Sequence, residues 1–220
     1  LLAVNGLATA VAAHTSTVLT AFNNQQTPPD IIEVGNETDN GFLWPIGQIY
    51  TNKGINWDDY TTITKTAITA ARAASPHAAI MIHYAGVATS GSFYNELLQR
   101  CVQFNIAGLS YYPWWHGASF TITESQLNAL AISITQDLMI VETSYPFTLG
   151  LNDDTNNTLG LPLEVAPSYA ANAAGQRNFM PTLHTVLKNL PNQRGRGYCY
   201  WAPDWGAHIP SQTSFTQSSS

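Results

Sequence analysis

Two glutamates stand where chain chemistry is expected. Glu37 follows Asn36 at the end of the apolar run Ile31, Ile32, Val34, and Glu142 closes the run Leu138 to Val141. Three further apolar runs end in His83-Tyr84, Tyr111-Tyr112 and Trp201. If these segments are parallel strands of one barrel, their C-terminal ends share one rim. Two carboxylates, a histidine, tyrosines and a tryptophan then converge. That set suits acid/base cleavage of a glycosidic bond, in which one carboxyl is protonated to assist the leaving oxygen and the other is ionised to attack or stabilise the anomeric carbon. A single glutamate at a strand end is more often a solvated or capping residue. Two of them, separated by three strands of chain order, carry more weight.

The elements that must position these residues are read from periodicity. Leu7, Val11, Val18 and Phe22 fall near one face of an opening helix. Asn56 is the expected N-cap of a helix through Ile63, Ala67, Ala70 and Ala74, with Asp58 and Asp59 in its first turn and Ser75-Pro76 at its end. Strands are expected at Ala79–Tyr84, Ala107–Tyr112, Leu138–Val141 and Tyr198–Trp201. Helices are expected over about 93–104, from Thr123 onward, and over about 174–190. A polar loop covers about 147–172. Helix and strand alternate, which implies parallel strands with right-handed crossovers in either a doubly wound sheet or part of a barrel. No phosphate-cradling glycine motif follows any strand, which argues against a nucleotide-binding sheet.

Composition narrows the ligand class. Charged residues make up 10% of the 220, the net charge is −6, and no basic cluster occurs, so nucleic acid is not the expected partner. Six Trp and ten Tyr could fill a core or offer faces to sugars. No apolar run is long enough for a membrane span. The two cysteines, Cys101 and Cys199, are read as buried free thiols, Cys101 on a helix and Cys199 on a strand. The sequons Asn36-Glu37-Thr38 and Asn156-Asn157-Thr158 are present, and a glycan on the first would obstruct the carboxylate beside it.

The segments PDIIEVGNETDNGFLWP, GLSYYPWWHG, IVETSYPFTLG, AAGQRNFM and GYCYWAPDW, in this order across about nine-tenths of the chain, resemble the arabinogalactan endo-β-1,4-galactanases of glycoside hydrolase family 53. The resemblance implies a (β/α)8 barrel of the retaining-glycosidase clan, of which this chain holds strands 4–8 and helices 3–7, as a partial catalytic domain over residues 1–209; the Ser/Thr/Gln composition of 210–220 reads as a disordered tail. It implies Glu37 as acid/base and Glu142 as nucleophile. Asn36 would then bond the sugar 2-hydroxyl or the nucleophile, and His83 with Tyr111 or Tyr112 would orient the pair. Trp44, Trp114, Trp115, His116, Trp201 and Trp205 complete the expected substrate contacts. The family's Tyr-Trp-Glu-Pro-x-Trp appears here with Ala202 in place of the glutamate and with Asp204 two residues later.

The remaining expectations are modest. No cofactor is expected. Asp153, Asp154 and Asn156 are weak candidates for calcium, without EF-hand spacing. The expected partner is a polysaccharide, handled by a secreted or extracytoplasmic monomer without nucleic-acid or membrane contacts. The alternatives are a related retaining β-glycanase acting on mannan, xylan or β-glucan, and a catalytically impaired sugar-binding fragment.

Overall fold

The computed structural model describes residues 3–150, 165–166 and 168–201. Among them, five parallel strands form one sheet: β1 (Ile31–Glu33), β4 (Ala79–Tyr84), β5 (Ile106–Ser110), β6 (Asp137–Thr143) and β7 (Gly195–Tyr200). A small antiparallel hairpin, β2 (Tyr50–Thr51) with β3 (Gly54–Ile55), stands apart from it. The helices are α1 (Val4–Asn24), α2 (Trp57–Ala74), α3 (Ser90–Gln99), α4 (Pro113–His116), α5 (Phe120–Ser133) and α6 (Ala173–Lys188).

Strand order decides between the two sheet types left open by alternation. The order is β1-β4-β5-β6-β7, so each strand lies beside the next one in the chain. A doubly wound sheet reverses direction at a switch point. Sequential order with crossovers of one hand instead lays every helix on the same face and curls the sheet as part of a barrel.

The two faces are built differently. Ile80, Ile82, Ala107, Leu109, Leu138 and Ile140 join Tyr60, Leu97, Leu127, Phe179 and Leu183 from the helices in one large core. The opposite, inner face carries a small cluster of Met81, Ile106 and Val141. Gly108 sits between its members. A Cβ there would come within 2.9 Å of the Met81 sulfur and 3.3 Å of Val141, so a larger residue would have to displace the Met81 side chain.

Local signals place most boundaries. Asn56 caps α2 by accepting the Asp59 N–H at 3.3 Å, Ser119 caps α5 through Ile122 N–H, and Asn172 caps α6 through Gly175 N–H at 2.8 Å. The helix expected over 93–104 differs. It starts at Ser90 and ends at Gln99, because Cys101 turns left-handed with φ 59°. The Cys101 and Val102 N–H groups return to the carbonyls of Leu98 and Leu97, a Schellman closure with cysteine where glycine is usual. This corrects the expectation for the cysteines. Cys101 is exposed on that turn, and Cys199 is exposed on β7; both are free.

No helix among the described residues is long and apolar enough to cross a membrane. The calcium candidates Asp153, Asp154 and Asn156, the residues Ala202, Asp204 and Trp205, and the expected tail at 210–220 lie outside the described residues.

Candidate active site

Strict two-residue alternation along β6 would point Glu142 at the helices, on the same side as Leu138 and Ile140. A β-bulge redirects it. On the β5 side, Leu109 pairs with Ile140 and the next residue, Ser110, pairs with Glu142. On the β7 side, the two residues between Ile140 and Thr143 face the single residue between Tyr198 and Tyr200. Both neighbours therefore locate one extra residue at Val141-Glu142. The bulge leaves Val141 in the inner cluster and brings Glu142 to the inner face beside it. There Tyr112 O–H donates to Glu142 Oε2 at 3.0 Å. Burial pushes the Glu142 carboxyl up, the Tyr112 bond and His83 pull it partly back, and the charge of Glu37 adds to the rise.

Glu37 is positioned by a turn rather than a strand. Its backbone is left-handed, φ 45° and ψ 62°, and it leads into a 3-10 turn over Thr38–Asn40. Gly35 opens the turn at φ 81°, where a Cβ would lie 2.5 Å from the Thr38 methyl. Thr38 is wholly buried and anchors the turn: its hydroxyl donates to the His83 carbonyl at 3.1 Å and meets Tyr60 O–H at 2.9 Å. Glu37 Oε1 accepts the Ser110 hydroxyl proton at 2.5 Å. Since Ser110 and Glu142 are cross-strand partners, the two carboxylates flank one point of the β5–β6 ladder.

The other expected residues divide by face. Tyr112 is inward. Tyr111 is outward and fully buried, stacked near Phe179 with its hydroxyl donating to Gly117 C=O at 3.0 Å, so its burial takes it out of the sugar-contacting set. Alternation from Leu109 would have separated the two tyrosines. His83 is inward but wholly buried, and it reaches Glu37 through Ser110 rather than touching a ligand. Asn36 is exposed next to Glu37.

His116 accepts the Tyr112 N–H on Nδ1 at 3.0 Å, so its Nε2 carries the proton of the neutral ring. Burial lowers its pKa, which keeps the ring neutral against the opposing pull of Glu37. The ring packs over Gly86, at φ 92°, where a Cβ would approach to 3.0 Å. Trp114 and Trp115 sit 5.2 and 5.3 Å from the Tyr112 ring, with Trp115 62% exposed. Trp44, 58% exposed, hangs from the loop after Glu37 by donating its indole N–H to Asn40 C=O. Trp201, at the end of β7, donates its backbone N–H to Thr143 C=O at 2.8 Å. The exposed rings of Trp44, Trp115 and Trp201 offer flat apolar faces of the kind that pack on sugar C–H surfaces.

Sequence reasoning passed over Ser110, Glu33 and Asp39. The first two were within reach, since both lie on the inward phase of otherwise apolar strands. Glu33 accepts from or donates to His83 Nδ1 at 2.9 Å, depending on the protons each carries. Asp39 is half-buried beside Glu37 and His83, and burial pushes its carboxyl up. Among the described residues no group of three or more His, Cys, Asp or Glu is placed to hold a metal ion.

Comparisons with known proteins place the family and the fold. The family profile described as glycosyl hydrolase family 53 matches residues 1–220. The chain is 32% identical over 213 residues to an uncharacterised Niallia circulans protein, covering 94% of this chain and 57% of that one. It is 29% identical over 205 residues to an arabinogalactan endo-β-1,4-galactanase of Cellvibrio japonicus, covering 90% and 53%. The GH53 catalytic domain of Ignisphaera aggregans superposes with a TM-score of 0.86 at 30% identity, over 94% of this chain and 58% of that one. The chain thus spans a little over half the length of these relatives, and its five strands correspond to part of their barrel. By a profile match along its whole length and by a shared fold, the chain belongs to glycosyl hydrolase family 53.

Proposed function

We propose that the chain carries the catalytic carboxylates of a retaining glycosidase that cleaves β-1,4-galactan within the polymer, and that it does so by double displacement. Glu142 attacks the anomeric carbon while Glu37 protonates the departing oxygen. Water then releases the sugar, with Glu37 taking its proton. The single observation that carries this reading is the pairing of Glu37 with Ser110 and of Ser110 with Glu142 on adjacent inner-face strands, each carboxylate with its own hydroxyl donor.

Their surroundings support the division of roles. Glu142 is the buried member, held by Tyr112 in one orientation, as a nucleophile needs. Glu37 lies on a turn at the mouth, within reach of a leaving group and of water. Trp44, Trp114, Trp115 and Trp201 are read as sugar platforms, with Asn36 and the His116 Nε2–H as polar contacts. The galactanase name of the Cellvibrio relative favours galactan over mannan or xylan. A secreted enzyme would meet that polymer, and we extend the proposal to secretion.

Azide rescue tests the roles. With an aryl β-galactobioside bearing a good leaving group, the Glu142→Gly variant should be inactive alone and should yield the α-galactosyl azide when azide is added. The Glu37→Ala variant should yield the β-azide, because azide then attacks the glycosyl-enzyme. The opposite anomers would exchange the two roles, and rescue of neither variant would remove the mechanism.

A further inference from the structure

Behind Glu37 runs a chain of hydrogen bonds that the two-carboxylate mechanism does not use. Ser110 O–H donates to Glu37 Oε1 at 2.5 Å, His83 Nε2 meets Ser110 Oγ at 2.8 Å, and His83 Nδ1 meets Glu33 Oε1 at 2.9 Å. The four residues come from β1, the turn after it, β4 and β5. His83 and Ser110 are fully buried, while the Glu33 side chain is 31% exposed at the outer end.

The residue types Glu33, His83 and Ser110 could suggest a serine nucleophile with its base and orienting acid. Donor counting rules against that use. Ser110 has one proton and gives it to Glu37, so its oxygen must accept from His83 Nε2–H. The histidine therefore cannot take the serine proton in this arrangement, and Ser110 has no surface from which to attack. The ring lies between two carboxylates, one met directly at Nδ1 and one reached through the serine.

We propose that Glu33, His83 and Ser110 form a hydrogen-bond relay that fixes Glu37 by its Oε1, leaves its Oε2 for the glycosidic oxygen, and stabilises the Glu37 anion formed when that proton is given up. This rests on Glu37 being the acid/base. Ser110, His83 and Glu33 are then positioning residues. A buried donor aimed at the developing carboxylate makes proton delivery easier, because a charge-assisted bond strengthens as the proton leaves. Other charged or titratable groups also face Glu37 or His83: Asp39 from the same turn, Glu142 from β6, Tyr112 from β5 and His116 from α4. Any pH effect of the relay must be read against theirs, so the test removes relay members and leaves these four in place.

The experiment compares Ser110→Ala, Ser110→Thr and Glu33→Gln, with Glu37→Ala as reference, in the full-length protein. The substrates are aryl β-1,4-galactobiosides whose leaving groups are phenol, which needs a proton, and 2,4-dinitrophenol, which does not. General-acid assistance is worth roughly 100- to 10,000-fold. Loss of one supporting donor should therefore cost Ser110→Ala about 10- to 100-fold in kcat/KM on the phenyl substrate and less than about 3-fold in kcat/KM on the dinitrophenyl substrate, kcat/KM being set by the bond-breaking step alone. The alkaline limb of its pH–rate profile should move to higher pH, since the acid releases its proton less readily. Ser110→Thr, which keeps the hydroxyl, should restore the phenyl rate, and Glu33→Gln should shift the limb the same way by less. Should Ser110→Ala not fold, Glu33→Gln at the exposed end carries the same comparison. Equal losses on both substrates, or an unmoved limb in both Ser110→Ala and Glu33→Gln, would overturn the relay while Glu37→Ala still showed the selective loss. If Glu37→Ala itself lost kcat/KM equally on both substrates, the acid/base reading would fail first, and the relay with it.

Discussion

Glu142 and Glu37 approach Ser110 from two unlike regions. Glu142 belongs to a central strand with a neighbour on each side, and its direction is set by a bulge that both neighbours register. Glu37 follows a three-residue strand that, among the described residues, pairs only with β4, and its direction is set by a left-handed turn pinned through the side chain of Thr38. The first mount is made of backbone ladder, which tolerates side-chain change. The second depends on a few specific side-chain bonds, so single substitutions should reach it through stability as well as rate. A fixed, buried position suits a nucleophile. A turn at the mouth suits a group that must exchange a proton with leaving group and water in successive steps.

That contrast can be broken first at Tyr112. Tyr112→Phe removes the hydroxyl from Glu142 and leaves the ladder intact. A hydrogen bond to a charged group is worth about 1.5–3 kcal/mol, so activity should fall roughly 10- to 100-fold without a comparable loss in denaturation midpoint. The sign of the pH effect follows from what the bond does. Burial raises the Glu142 carboxyl, and the Tyr112 bond opposes it. Without the bond the carboxyl keeps its proton to higher pH. Since the nucleophile must be ionised, the acidic limb of the pH–rate profile should move upward. An unmoved limb would detach Tyr112 from the nucleophile.

Thr38→Val probes the other mount. The isosteric change deprives the buried His83 carbonyl and the Tyr60 hydroxyl of a partner, which costs about 1–3 kcal/mol. Urea denaturation should show that loss, and activity should fall with it, while the acidic limb stays in place. If Thr38→Val lost activity with full stability, the turn would be a chemical rather than a structural support.

The smallest expected effect lies far from both. Cys101 holds a left-handed backbone that glycine adopts without strain. Cys101→Gly should stabilise the protein by up to about 1 kcal/mol, because relief of roughly 1–2 kcal/mol of strain is partly offset by the freer unfolded chain. Thermal denaturation reads the change, and activity should be untouched.

The same contrast explains what the sequence disclosed. Helix caps at Asn56 and the strands of β4 to β6 were readable because caps and two-residue alternation are local signals. Glu142 was readable as a strand-end carboxylate, yet its inward direction was not, since alternation from Leu138 and Ile140 points it the other way and only cross-strand pairing exposes the bulge. Tyr111 was left open beside Tyr112, although alternation from Leu109 turns it toward the helices. Ser110 and Glu33 were overlooked as polar residues on the inward phase of apolar strands. The end of α3 was misplaced because its left-handed closing residue is a cysteine rather than a glycine.

Double displacement at the two glutamates is tested most directly by proton NMR of galactan hydrolysis, followed from the first seconds. Double displacement through Glu142 releases each new reducing end as the β anomer, with the α signal growing in only as the sugar mutarotates. An α anomer appearing first would mean a single inversion at the anomeric carbon, and Glu142 would then be activating water instead of bonding to the sugar.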